Sequence, residues 1–519
     1  MSTPAAIRPV PGKPWLVAAA DVQIPAGVTG ARHVGVDGSS VVLIPADPSN
    51  VLALRAAGHP VPAPILHTYR FPPEAFRAQR LTAAFLTMNP RAFVLSEMGT
   101  GKTRAALYAI DWLFRRGDIR RALIVTPLST VSPVWERELA AGFGYLSRKL
   151  LVGSGRDKRY ASDWEVGIIN HDGVVALYSL IKNDPKLDLL LIDELAVFRT
   201  PRTLRTRALI DIADRVPRVW GMTGSPAPNG PIDPWAQTRI VNPAQTKIYP
   251  LAWWRRATMV KVGQYTYEPT DQAPALVAKL VVPAIRFKRS DVMELPPLTI
   301  TERTAVLSPQ QRKAYEDLRT KLVHDYAAGK VVAANAGILL SKLVQVAAGV
   351  VYDDTGEQHV VGAPDRLSVT AEVCEQAERK VLVMAGFKSV LSLLVDHLGR
   401  RWGVGRIDGD VGVKDRNELI ARFQDEKDPL RILVAHPGTM AHGLTLTEAS
   451  TIIWYTPCMS RELFEQANAR ITRPGQRYPQ LQVRVIGAPI DARVFRAILD
   501  RRLSFQALCL DMFKDLDEL

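Results

Sequence analysis

Residues 92–103 constrain the fold more than any other stretch of the chain. The apolar run Ala92-Phe93-Val94-Leu95 leads into Ser96-Glu97-Met98-Gly99-Thr100-Gly101-Lys102-Thr103, and Arg104–Arg116 then carries helical periodicity up to Gly117. Strand, glycine-rich loop and helix in that order bring backbone N–H groups and a helix N-terminus to one point, which suits a phosphate. Gly99 and Gly101 let the amides turn toward phosphate oxygens. Lys102 would supply a charge to the β- and γ-phosphates, and Thr103 a hydroxyl to Mg²⁺. Ser96 stands where the general pattern begins with Gly.

From Gln79 onward, short apolar runs alternate with helical periodicity, the pattern of parallel α/β layers. Ala92–Leu95, Ala122–Thr126, Leu189–Ile192, Arg218–Thr223, Val381–Ala385, Ile432–Ala435, Thr451–Tyr455 and Leu481–Ile486 are the expected buried strands. Residues from about 298 to 350 read as helices and strands resume at Val381, so two α/β lobes with a helical segment between them are expected. Residues 1–70 differ, with ten prolines, few charges and Val-rich runs on either side of Asp37-Gly38. Asp-Gly in that setting is a hairpin signal, and the segment reads as a small β-rich appendage ending in a Pro60–Pro73 linker.

The 519 residues hold 66 Lys+Arg against 52 Asp+Glu, a net charge of +14 spread along the chain. That balance favours a polyanionic partner, nucleic acid first. With 47% apolar and 23% charged residues, wholesale disorder is excluded. No apolar run approaches the roughly 18 residues of a membrane span, and the first residues have too little apolar length for a signal peptide. Cys374, Cys458 and Cys509 lie too far apart for a disulfide framework or a zinc knuckle. The expectation is a soluble protein of a reducing cytoplasm with no membrane partner.

Leu189-Leu190-Leu191-Ile192-Asp193-Glu194 is an apolar strand ending in two acids. An acid at a strand's carboxyl end can hold hydrated Mg²⁺, and a neighbouring Glu can orient and deprotonate an attacking water. An isolated pair of this kind would be a solvated strand end; its place in the same lobe as the phosphate loop argues for a nucleotide-hydrolysing site. Trp220-Gly221-Met222-Thr223-Gly224-Ser225-Pro226 ends another strand of that lobe. Far downstream, Gln466-Ala467-Asn468-Ala469-Arg470-Ile471-Thr472-Arg473 is expected on a polar helix, with the two Arg on one face.

Taken together these segments resemble a superfamily-2 helicase/translocase of the Swi/Snf-like branch, most closely the compact bacteriophage forms. SEMGTGKT is similar to motif I, IVTPLSTVSPVWERE to motif Ia, LLIDEL to motif II and MTGSPAPN to motif III. VLVMAGF is similar to motif IV, HPGTMAHGLTL to motif V and QANARITRPGQ to motif VI. Phe76-Arg77-Ala78-Gln79 is similar to the adenine-reading Q motif. The resemblance implies two RecA-like lobes with ATP in the cleft between them and nucleic acid running across both. It divides the chain into an appendage (1–70), a first RecA-like lobe (71–297), a helical link (298–365) and a second lobe (366–519).

Carried over, Gln79 would contact adenine, and Met98, Gly99, Thr100, Gly101, Lys102 and Thr103 would bind the phosphates. Thr103 and Asp193 would hold Mg²⁺, and Glu194 would activate water. Thr223 and Ser225 would couple the lobes, with Gly443 and Leu444 lining the cleft from the second. Arg470 and Arg473 would be arginine fingers, and Gln466 a contact near the γ-phosphate. Leu195-Ala196 departs from the family, which usually has a small residue and then His, Ser or Thr there; the hydrogen-bonding link from motif II to motif III is thereby in question. The implied activity is ATP-driven movement along DNA, duplex favoured and sequence-independent, in a bacterial or phage-infected cytoplasm. A nucleic-acid-binding protein with an impaired motor and an RNA-directed helicase are the alternatives.

Arg199, Arg202, Arg205 and Arg207 follow motif II without an intervening acid and suit either phosphate tracking or a solvated helix face. Trp253-Trp254-Arg255-Arg256 suits stacking on a base or, preferably, a buried lobe edge. His436 and His442 lack a suitably spaced third ligand, and no zinc is assigned.

Overall fold

The computed structural model describes residues 7–499 except 37–38, 225, 263–266, 293–295, 328–332, 353–356, 441–444 and 474. The chain divides into two compact units, Met1–Val292 and Met293–Leu519. Among the described residues no helix is long and apolar enough to cross a membrane.

The first unit opens with an antiparallel sheet of β1 (Ile7–Pro9), β2 (Trp15–Ala19), β3 (Arg32–Val36) and β4 (Ser39–Pro45), in the order β1-β2-β4-β3. Val36 of β3 stands opposite Ser39 of β4; the Asp37-Gly38 pair of the expected hairpin lies outside the described residues. Along β4, Val42 and Ile44 are buried while Val41 and Leu43 are half-buried, the period-two signature of a sheet with one covered face. The Pro60–Pro73 segment is not the free linker its prolines suggest. Val61, Ala63 and Ile65 between and after them are buried. Thr68 Oγ1 accepts from the Trp112 indole at 2.9 Å, and the Tyr69 hydroxyl donates to Asp111 at 2.6 Å. The appendage therefore shares one core with the layer that follows: Ile7, Leu16, Val42 and Leu54 cluster with Leu86, Trp112 and Trp220.

That layer is a seven-stranded sheet made from β5 (Arg91–Val94), β6 (Arg121–Thr126), β7 (Arg148–Leu150), β8 (Val166–Asn170), β9 (Leu187–Asp193) and β10 (Arg218–Met222). A small ribbon, β11 (Met259–Lys261) with β12 (Tyr267–Pro269), precedes the last strand, β13 (Ala284–Ile285). The order is β13-β5-β10-β9-β6-β8-β7, and every pairing is parallel. Its strands read as continuous apolar runs because both faces are covered. Phe93, Leu123, Val125, Leu190 and Ile192 enter one core, and Ala92, Val94, Ile124, Leu189 and Leu191 the other.

The second unit holds β14 (Leu298–Thr304), the ribbon β15 (Val350–Tyr352) with β16 (Gln358–Val360), and then β17 (Lys380–Met384), β18 (Gly403–Ile407), β19 (Leu430–Ala435), β20 (Ala449–Trp454) and β21 (Gln480–Ile486). Its six-stranded parallel sheet runs β14-β21-β20-β17-β19-β18. The helical reading of 298–350 holds for Pro309–Ala327 and Ala333–Ala348 and fails at its start, where β14 pairs with β21 from Leu298–Gln480 to Thr304–Ile486. β14 is an exposed edge strand, so it lacks the apolar run that marks the buried strands; the open edge of β21 makes it a strand.

Arg366 and Asp491, both buried, form the polar centre of this unit. The guanidinium meets the carboxylate at 2.9 Å and donates to the carbonyls of Ala347 (3.1 Å), Val485 (2.8 Å) and Tyr455. Asp491 also accepts from the N–H groups of Gly487 (2.9 Å) and Ala488 (3.1 Å). A Cβ at Gly487 would lie 2.8 Å from the guanidinium, so glycine is what lets the chain pass. Arg366→Met leaves the carboxylate buried without its cation and is expected to cost about 3–5 kcal/mol. Urea unfolding of the variant checks this; an unchanged midpoint would remove Arg366 from the stabilising set.

Candidate functional site

The loop after β5 has the backbone its glycines imply: φ is +82° at Gly99 and +79° at Gly101, the left-handed region. The helix Lys102–Arg116 starts there with no side-chain cap, leaving its first N–H groups directed at the loop. Lys102 Nζ donates to the carbonyls of Ser96 (2.7 Å) and Glu97 (3.0 Å) and thus spans the loop. Met98, Gly99 and Thr103 are half-buried and Thr100 is buried, its hydroxyl donating to the Glu97 carbonyl at 2.8 Å. Ser96, in the position usual for Gly, accepts the Phe287 N–H on Oγ at 3.0 Å, and Glu97 accepts the Arg289 N–H at 3.0 Å. These two contacts tie the segment after β13 to the loop.

Gln79 lies beneath the loop. Its Oε1 accepts the Phe76 N–H at 2.9 Å and its Nε2 reaches the Gly101 carbonyl at 3.5 Å. A Cβ at position 101 would come within 2.3 Å of that Nε2.

Asp193 and Glu194 emerge at the carboxyl edge of β9, where ligands of parallel sheets bind. One carboxylate oxygen of Asp193 accepts from the Trp135 indole (2.9 Å) and the Thr126 hydroxyl (3.1 Å), and Thr126 in turn pairs with Thr130 at 2.6 Å. The Asp193 carbonyl meets His171 Nε2 at 2.9 Å. A carbonyl can only accept, so Nε2 carries the proton; burial holds the imidazole below its ordinary pKa, and Phe198 packs edge-on against it at 5.2 Å. Glu194 has φ +54°, alone in the left-handed region among the described non-glycine residues. Its carboxylate accepts from the Thr223 hydroxyl at 3.5 Å. Motif II is therefore linked to motif III by Glu194 itself, while Leu195 packs against Gly221, where a Cβ would stand 2.5 Å from Leu195 Cδ2. Thr126 and Trp135 lie in the segment similar to motif Ia without a role assigned to them there, and His171 lies outside every motif. The signal available for His171 was its place one residue past β8, on the same carboxyl edge.

In the second unit, Gln466 is buried on the helix Arg461–Asn468 and donates to Glu462 at 3.2 Å. Arg470 and Arg473 are not on that helix; it ends at Asn468 and both lie in the turns beyond it, Arg470 buried and Arg473 half-buried. Gly475, at φ +93°, lies further along, between these turns and β21. Ser225, Gly443 and Leu444 lie outside the described residues. A cavity of about 330 Å³ opens at the carboxyl ends of β17, β18 and β19, between Gly386, Lys388, Asp408 and His436. Both ring nitrogens of His436 meet backbone there, Nε2 the Gly386 carbonyl at 3.1 Å and Nδ1 the Gly438 N–H at 3.1 Å.

The arginines after motif II are not equivalent. Arg205 pairs with Asp172 at 3.5 Å, Arg199 donates to the Ala196 carbonyl at 3.4 Å, and Arg202 and Arg207 are exposed. Trp254 is fully buried, as preferred for this stretch, but Trp253 is 41% exposed.

Two tandem parallel sheets, the first with a phosphate-type loop and acids at one edge, define a superfamily-2 helicase core. The SNF2-related domain matches residues 85–348 and the helicase conserved C-terminal domain residues 365–475; the chain belongs to the SNF2-related family. Protein p41 of Acyrthosiphon pisum secondary endosymbiont phage 1 is 23% identical over 412 residues, 74% of this chain and 86% of that protein. The SWI/SNF-related matrix-associated actin-dependent regulator of chromatin subfamily A-like protein 1 homolog of Caenorhabditis elegans is 24% identical over 460 residues, 82% of this chain and 63% of its own. The chain thus spans less than two thirds of the nematode relative. In fold it is similar to S. cerevisiae Dbp5 bound to RNA and ADP BeF3, with a TM-score of 0.51 and 13% identity over 85% of this chain and 93% of that one.

Gly101→Ala should be costly for two separable reasons, the contact with Gln79 and about 1–2 kcal/mol of left-handed backbone. In a Gln79→Ala background only the second remains, so the double-mutant cycle read by thermal melting should show a positive coupling; strict additivity would place Gln79 elsewhere. His171→Ala takes the buried imidazole away from the Asp193 carbonyl and is expected to cost about 1–3 kcal/mol. His171→Gln, whose Nε2 can reach the same oxygen, should recover part of that loss in the same melt.

Proposed function

We propose that this chain hydrolyses Mg·ATP and uses the cycle to move along duplex DNA without reading its sequence. The observation that carries the proposal is the Glu194 carboxylate, set at a strand edge by a left-handed backbone and hydrogen-bonded to Thr223. A carboxylate so placed can accept the proton of a water attacking the γ-phosphorus while the bond to the bridging oxygen breaks. Lys102 exchanges its two loop carbonyls for phosphate oxygens and neutralises their charge. The oxygen donors Thr103 and Asp193 fit Mg²⁺, which prefers one or two protein oxygens with waters and phosphates completing its shell; when bound it would screen the β- and γ-phosphate charge. Arg470 and Arg473 are the proposed neutralising residues of the second unit, and Gln466 a neighbour of the γ-phosphate.

The Glu194–Thr223 contact supports coupling between hydrolysis and the motif III segment and counts against an impaired motor. DNA as the track is supported by the family, by the net charge of +14 and by exposed Arg202 and Arg207. Arg205 would have to leave Asp172 to reach a phosphate.

Steady-state ATP hydrolysis by the wild type and Glu194→Gln, each alone and with duplex DNA, single-stranded DNA or RNA, tests the reading. Duplex DNA should stimulate the wild type most, and Glu194→Gln should lower kcat by about 10²–10⁴-fold, the usual contribution of general base catalysis, with ATP binding retained. ATP binding without turnover on any nucleic acid would overturn it.

A further inference from the structure

Between β10 and β13 the first unit makes an excursion, residues 223–283, that includes the ribbon β11–β12 and two short helices, Pro243–Ile248 and Leu251–Thr258. The second helix is two-faced. Trp254 and Thr258 are buried, and the Trp254 indole donates to the Pro231 carbonyl at 2.7 Å. Away from them, Trp253 and Arg256, three apart, share a side, and Arg255 follows round the helix; all three are exposed. Tyr249 continues the stripe: its ring stands 5.4 Å from that of Trp253 at an interplanar angle of 31°. The Tyr249 carbonyl is held by the Trp235 indole at 2.8 Å, so the pair is built on a fixed support.

Lys247, Arg255, Arg256 and Lys261, in the same stretch of chain, are exposed, and among the described residues none of the four makes an ion pair. Residues 247–268 carry these four cations and one acid, Glu268. An exposed Trp253 backed by the half-buried Tyr249 ring, in a stretch of chain that carries four exposed cations, suits a ligand that offers flat π-faces and phosphates together. Duplex DNA hides its base faces in the stack, whereas an unpaired strand exposes them.

We propose that Trp253 and Tyr249, with Arg255 and Arg256, form a stacking site for an unpaired DNA strand, outside the nucleotide-binding motifs. The choice of DNA over RNA rests on the function proposed above; the stacking chemistry does not. A strand held here would let the protein recognise DNA that has both duplex and unpaired parts.

The test is equilibrium binding, without nucleotide, of fluorescein-labelled oligo-dT and of a blunt duplex of equal length. Trp253→Ala should weaken oligo-dT binding about tenfold while duplex affinity and melting temperature stay at wild-type values, and Trp253→Phe, which keeps a flat ring, should retain most of the affinity. Arg255→Ala with Arg256→Ala should flatten the slope of log K against log salt by about 1.4, at about 0.7 per phosphate contact on a single strand. No oligo-dT binding by the wild type, an unchanged affinity in Trp253→Ala, or equal losses on oligo-dT and duplex would each overturn the proposal. Failure of the motor reading would show separately, as absent turnover with this binding intact.

Discussion

The backbone at the end of β9 is the constraint on which the first unit's chemistry depends. Asp193 is the last residue of β9 and Glu194 follows it in the left-handed region, which ends the strand and sets where the second carboxylate emerges. For a glutamate that conformation is unfavourable by about 1–2 kcal/mol, and it persists because its surroundings hold it. Trp135 and Thr126 fix the Asp193 carboxylate, His171 fixes its carbonyl, and Thr223 meets the Glu194 carboxylate. Thr126 ends β6, His171 and Thr223 directly follow β8 and β10, and Trp135 comes from the helical turns Val131–Glu136 beyond β6, so the parallel sheet is what lets three strand ends converge on two residues.

The phosphate loop follows the same logic from the other side. Its two left-handed glycines open a cradle, and Lys102 fills it from within by bonding to loop carbonyls. Gln79 supports it from below, and the segment after β13 is hooked to Ser96 and Glu97. Ser96 is thus more than a tolerated replacement for glycine, since its hydroxyl accepts the hydrogen bond that seats that returning segment. The segment after the N-terminal sheet is tied to the helix that follows the loop through Thr68–Trp112 and Tyr69–Asp111, so the appendage and the seven-stranded layer share one core. Arg366 plays the comparable part in the second unit, where a single guanidinium gathers three carbonyls and a carboxylate.

Most of the fold was legible because buried parallel strands leave uninterrupted apolar runs, and all eight expected strands are present within a residue or two of their ends. The exceptions share a cause. β14 is exposed and gains its hydrogen bonds from a strand some 180 positions away, so nothing local marks it. The Pro60–Pro73 segment looks like a linker by composition, but it buries Val61, Ala63 and Ile65 and turns through a short helix, Ile65–Thr68. The spacing of the two arginines after Gln466 fits a helical face, but the helix ends at Asn468 and leaves both in turns. Trp253 and Trp254 are neighbours of one type with opposite environments, a difference set by which face of a two-turn helix meets Pro231.

From residue types and their order alone came the α/β class, the two-lobed plan, the phosphate loop and the acid pair, because each is a local pattern whose meaning does not depend on distant contacts. The tertiary structure decided which side chains hold those groups in place: His171 on the Asp193 carbonyl, Trp135 on its carboxylate, Gln79 under Gly101, and Glu194 itself as the link that Leu195-Ala196 does not provide. Those assignments are hydrogen bonds and close approaches between segments 22 to 58 residues apart, and only the folded sheet, by bringing its strand ends to one edge, brings them within reach.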